Sequence, residues 1–63
     1  MPNITIDGPR LEKLEVKRVL IKEITDAIEK AYKLPREHIV IVIKENFPEN
    51  VGIGGTLISD RRR

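Results

Sequence analysis

A proline stands second in the chain, directly behind Met1. Inside a peptide bond its nitrogen has no N–H to donate, and a proline is tolerated at the first residue of a strand. Freed by loss of Met1, the same nitrogen is a secondary amine, a base whose ordinary value is about 8. Burial in an apolar site, or nearby cations, disfavour the ammonium form and draw that value toward neutrality, where general acid–base catalysis works best. The ring also fixes the nitrogen's direction. Pro2 is therefore the candidate catalytic residue, with a merely structural strand-start proline as the alternative.

Other chemistry is scarce. There is no cysteine and one histidine, His38, which excludes disulfides and thiol nucleophiles and leaves no plausible protein metal site. No Ser/His/Asp set is recognisable. Asp7 and Glu45 flank the expected sheet ends, with nothing in the sequence to pair them. Val51-Gly-Ile-Gly-Gly lacks the full G-x-G-x-x-G spacing, and no helical pattern follows it, so it is not a phosphate loop. Its glycines suit a tight turn and a close backbone approach.

These residues must be positioned by 63 residues, read as a single domain over 1–63. A fold this small buries only about 60% of its unfolded surface and usually needs a staple. With disulfides and metals excluded, oligomerisation is the staple left. The net charge of +2 does not mark a nucleic-acid binder: without Arg61, Arg62 and Arg63, nine basic residues face ten acidic ones. Arg61–Arg63 is expected to be a frayed basic tail. Tyr32 and Phe47 are the only aromatics, too few for a base-stacking platform. No signal peptide is recognisable, and the longest apolar run, Ile39 to Ile43, falls far short of the ~20 residues of a membrane span. Together with the absence of cysteine this fits a cytoplasmic protein, and the richness in Lys, Arg, Glu and Ile fits a thermophile.

Asn3 to Asp7 alternates polar and apolar residues and predicts a half-buried strand, broken by Gly8-Pro9 as a turn. From Leu11 to about Lys33 the period becomes helical. Val16, Leu20, Ile24, Ala27, Ile28 and Ala31 form one stripe, widened by Leu14 and Ile21, broad enough to pack on a sheet and on a second surface such as another subunit. Asp26 with Lys30, and Glu29 with Lys33, are acid-then-base pairs four apart. Pro35 closes the helix. His38 to Lys44 is β-branched without alternation, the mark of a strand apolar on both faces. Glu45 to Asn50 reads as a loop, and Val51 to Ser59 as an extended or hairpin segment. The order strand, helix, strand is a βαβ unit with a crossover. Two strands and one helix cannot close a core; the sheet needs more strands, and another copy can supply them, which points to a dimer whose sheets join or to something larger.

Met1-Pro2, LIKEITDAI at Leu20–Ile28, VIVIKE at Val40–Glu45 and VGIGGTLIS at Val51–Ser59 together resemble the 4-oxalocrotonate tautomerase family, over essentially the whole chain. The resemblance implies an α/β fold: a β-α-β unit with a short C-terminal hairpin, its sheet completed by pairing in dimers, three of which form a hexamer. It implies an isomerase that moves a proton between oxygen and carbon of a small enol or dienol acid. Pro2, as mature N-terminus, would be the base, and no cofactor or metal would take part.

The family pattern also asks for cations to hold the substrate's carboxylates. Arg10 lies near the first such position, one residue out of register, and is a candidate substrate-binding residue able to grip a carboxylate bidentately. The alternative is a solvated arginine at the helix start. At the second position stands Val40, with Arg36 and His38 nearby but not matching. Where relatives carry a phenylalanine just before the glycines there is Val51, and Phe47, four residues earlier, is the candidate to replace it in an apolar wall. These departures resemble an archaeal or bacterial side branch and make a dicarboxylate substrate doubtful. The rival reading is a non-catalytic oligomeric module of the same fold that binds an acidic partner. A third, hydration or dehalogenation of an unsaturated acid, needs a water-activating acid with no evident position.

Overall fold

The computed structural model describes residues 1–61. Strand β1 (Asn3–Pro9), helix α1 (Leu14–Tyr32) and strand β2 (Val40–Asn46) come first, followed by a two-residue hairpin, β3 (Gly52–Ile53) and β4 (Thr56–Leu57), and a short α2 (Ile58–Arg61). Single 3₁₀ turns at Arg36–His38 and Pro48–Asn50 bracket β2. β1 and β2 pair in parallel, from Asn3 opposite Val40 to Pro9 opposite Asn46. The expected β-α-β unit with a C-terminal hairpin is the observed architecture.

Alternation along the strands decides the layers. Ile4, Ile6, Ile41 and Ile43 are half-buried, whereas Asn3, Thr5, Val40 and Val42 are exposed. Glu45 lies on the half-buried face and meets Lys17 of α1, so that is the face the helix covers. The helix turns Ile21, Ile24, Thr25 and Ile28 inward, and Thr25, at 8% exposure, is the most buried of the described residues. Part of the expected stripe points elsewhere: Val16 is nearly half exposed and Leu14 is 60% exposed, as is neighbouring Val19 at 46%. Their burial awaits another surface, as do Val40 and Val42 on the bare sheet face.

A single chain leaves much of its apolar surface uncovered. No hydrophobic residue among the described ones is fully buried. The radius of gyration is 15.1 Å, against about 11 Å for a compact domain of this length. The two-stranded sheet leaves one edge of each strand unpaired, and open edges invite pairing with another chain.

Several boundaries differ from the sequence expectation, each for a local reason. Gly8 and Pro9 extend β1 instead of ending it, because a proline at the last position of a strand forfeits no essential ladder bond. Helix α1 starts at Leu14, not Leu11: Lys13 is extended (φ −98°, ψ 126°) as its N-cap, and the Leu11 N–H before it is tied to Glu45 Oε2 at 3.0 Å. β2 begins at Val40 because Arg36–His38 forms a turn. A short helix does follow the glycines, at Ile58–Arg61. Of the expected basic tail, Arg61 ends that helix and Arg62 and Arg63 lie outside the described residues.

The charge pairs also regroup. Asp26 is bonded by Lys22 at 2.9 Å and by Arg36 at 3.1 Å, and Glu29 by Arg36 at 2.6 Å. Lys30 and Lys33 are not their partners, because Lys33 has left the helix in the left-handed conformation (φ 57°) and Arg36 folds back in their place. Lys22 first, and Arg36 second, hold the Asp26 carboxyl below its ordinary value.

Two left-handed positions give opposite expectations. Lys33→Gly relieves a side chain of its strain and should stabilise the fold by about 0.5–1 kcal/mol. Gly54→Ala, at φ +61° in the hairpin turn, should destabilise it by about 1 kcal/mol. Urea midpoints of the two variants at one protein concentration check both signs.

Candidate active site

The far end of the ladder is where side chains able to do chemistry collect. β1 delivers Asp7, the turn behind it delivers Arg10 and Glu12, and the exit of β2 delivers Asn46 and Phe47. These surround an open cleft of about 730 Å³. Pro9, Pro48, Val51 and Ile58 complete it with apolar surface. Val51 is held there because its carbonyl accepts the Ile58 N–H at 2.8 Å, clipping the start of α2 back over the chain leaving the Pro48–Asn50 turn. Arg10, Phe47 and Val51, singled out from the sequence, thus line one cleft.

Glu45 fixes the geometry of this end. Its Oε2 accepts the Leu11 N–H at 3.0 Å and pairs with Lys17 Nζ at 2.9 Å. Arg10 is thereby held between two restrained points, Pro9 in the ladder and Leu11 on Glu45. The Lys17 bond first, and the Leu11 backbone bond second, hold the Glu45 carboxyl below its ordinary value. The guanidinium of Arg10 makes no ion pair among the described residues. Asp7, one step up the strand, accepts a hydrogen bond from the Asn46 amide.

Pro2 is not in this cleft. It sits at the opposite end of β1, and eight residues of extended chain at about 3.3 Å each put it roughly 25 Å from Arg10. Its carbonyl accepts the Val40 N–H at 3.2 Å, which pins the residue to the sheet, while Met1 is 80% exposed. Val40, at the position of the family's second arginine, meets Pro2 through its backbone N–H, while its side chain lies on the exposed sheet face with that of Asn3, its ladder partner. Arg36 does not replace that arginine, being committed to Asp26 and Glu29. His38 lies exposed in the turn before β2.

Sequence reasoning missed the anchoring role of Glu45 and the contributions of Glu12, Asn46 and Ile58. Glu45 and Lys17 are separated by a whole helix crossover, and no local spacing announces such a pair. Only the parallel register, which places Glu45 opposite Gly8, brings it to the turn.

Comparison with known proteins gives one consistent result. The family model described as tautomerase enzyme matches residues 2–61. A probable tautomerase of Listeria innocua is 33% identical over 60 residues, covering 95% of this chain and 98% of the relative. The crystal structure of DmpI from Archaeoglobus fulgidus is 37% identical, with a TM-score of 0.83 over 94% of this chain and 100% of that one. A structure from work on the 4-oxalocrotonate tautomerase isozymes of Methylibium petroleiphilum is 31% identical, with a TM-score of 0.84 over 98% and 100%.

The Glu45 anchor predicts a pH signature. A carboxyl lowered in the folded state contributes stability above its unfolded value, and that contribution is lost as pH falls through the folded value. Glu45→Gln should lower the urea midpoint at neutral pH, and the deficit should shrink at an acid pH, as the wild-type carboxyl is protonated through its lowered folded value. A deficit equal at both pH values would mean that the charge is not what anchors the turn.

Proposed function

Because the chain belongs to the tautomerase enzyme family, we propose that it catalyses keto–enol proton transfer on a small enol or dienol carboxylic acid, with Pro2 as the base. Once Met1 is removed, the Pro2 amine takes the proton from the enol hydroxyl. The C=O double bond forms as the C=C bond opens toward the receiving carbon. The resulting ammonium then returns the proton to that carbon, and the amine is regenerated. Arg10 holds the substrate carboxylate, and Phe47 and Val51 wall the apolar part.

The observation that carries this reading is the setting of Pro2. Its carbonyl is tied to Val40 while Met1 projects into solvent, so losing Met1 breaks no hydrogen bond found among the described residues. The amine so freed stands at the open end of β1, next to the Asn3–Val40 ladder pair, with no charged side chain of the ladder beside it. Because Pro2 and Arg10 occupy opposite ends of one strand, a working site takes Pro2 from one chain and Arg10 from another. The protein in this reading is a cytoplasmic homo-oligomer in which βαβ units pair, three pairs to a hexamer. Among the described residues, no helix is long and apolar enough to cross a membrane.

Val40 also supports a second reading, an assembly of the same fold that has lost the chemistry and serves as a binding module. Ketonisation of 2-hydroxymuconate and of the enol of phenylpyruvate, followed by ultraviolet absorbance, separates the two. With protein shown by intact mass to lack Met1, turnover is expected, and Pro2→Ala should lower kcat/KM by about 10²–10⁴. No turnover of either enol, or turnover indifferent to the substitution, would remove Pro2 from the chemistry and leave the binding module.

A further inference from the structure

The charges of the cleft are unevenly distributed. Its lining holds one cation, Arg10, and two carboxylates, Asp7 and Glu12. Asp7 forms no ion pair among the described residues and accepts a hydrogen bond from the neutral Asn46 amide. Lys44, its partner across the ladder, is not part of the lining. The remaining wall is apolar.

From this we infer that the cleft takes an amphipathic monocarboxylate, and that Asp7 and Glu12 select against a second carboxylate. The ligand's single carboxylate lies on the Arg10 guanidinium, whose fork suits it. Its tail lies along Phe47, Pro48, Val51 and Ile58. A dicarboxylate filling the same length brings its second charge toward Asp7 or Glu12, with no other cation of the same chain in the lining to receive it. Like charges brought together discriminate against the wrong ligand as effectively as good contacts favour the right one. Discrimination of this kind is electrostatic and weakens as salt shortens the reach of the charges.

The inference names the substrate class of the site proposed above, and binding tests it independently of turnover. Hexanoate and adipate have the same chain length and differ in the second carboxylate. Each would be titrated into the assembled protein and followed by amide chemical shifts, in wild type, in Asp7→Asn/Glu12→Gln and in Arg10→Gln. Wild type should bind hexanoate at least about threefold more tightly than adipate at low salt, with the gap narrowing as salt is added. The double substitution should raise adipate affinity relative to hexanoate by about threefold or more, and Arg10→Gln should weaken both acids. Adipate binding as tightly as hexanoate in wild type, an unchanged ratio in the double variant, or no binding of either acid overturns the inference. If neither enol is turned over but this selectivity is present, the proton-transfer reading fails and the assignment of the cleft stands.

Discussion

Seven ladder pairs join β1 to β2 in parallel, and that direction determines where everything else can lie. Parallel neighbours cannot be joined by a tight turn, so the intervening chain must cross over, and here it does so as α1. The helix covers one face of the sheet and leaves the other bare. The same register carries Glu45 to the turn after β1, where it anchors Leu11 and Lys17, and so sets Arg10 at the rim of the cleft. It also keeps Pro2 at the other end, beside Val40. One strand pairing thus produces two chemical poles that cannot meet within one chain.

The surfaces left uncovered follow from the same constraint. Val40 and Val42 on the bare sheet, Val16 and Val19 on the outer flank of the helix, and two unpaired strand edges are what a second and further copies would cover. With no fully buried hydrophobic residue among the described ones, a single chain has little stability of its own. Assembly therefore does two things in this account: it supplies the missing core, and it brings a Pro2 to a cleft. On the proposed reading stability and activity would share a cause, and a substitution that loosens the assembly would reduce both.

Much of this was legible in the residues. The alternation at Asn3 to Asp7, the helical period after it and the β-branched run at Ile39 to Ile43 gave the βαβ order, because each pattern has its own period. The grouping of Arg10, Phe47 and Val51 was anticipated as a set of residues, though the cleft that joins them depends on chain reversal at the Pro48–Asn50 turn, which no spacing reveals. Boundaries were read less well. Gly8-Pro9 looks like a turn, yet it stays in the ladder. Leu11 looks like the start of a helix, yet its N–H is taken by a glutamate 34 residues away. The helix pairs of Asp26 and Glu29 were displaced by Arg36, a residue beyond the helix end. In each case a contact distant in sequence outweighed a local preference worth a fraction of a kcal/mol.

The central claim is that the site is completed between copies, and mixing tests it. Pro2→Ala and Arg10→Gln chains, each inactive or impaired alone, would be unfolded together, refolded at equal amounts and assayed. Sites built across an interface should recover about a quarter of wild-type turnover, the statistical share of interfaces holding both native residues. Recovery no greater than the average of the two separate variants would mean that each chain carries its own complete site, and would contradict the account.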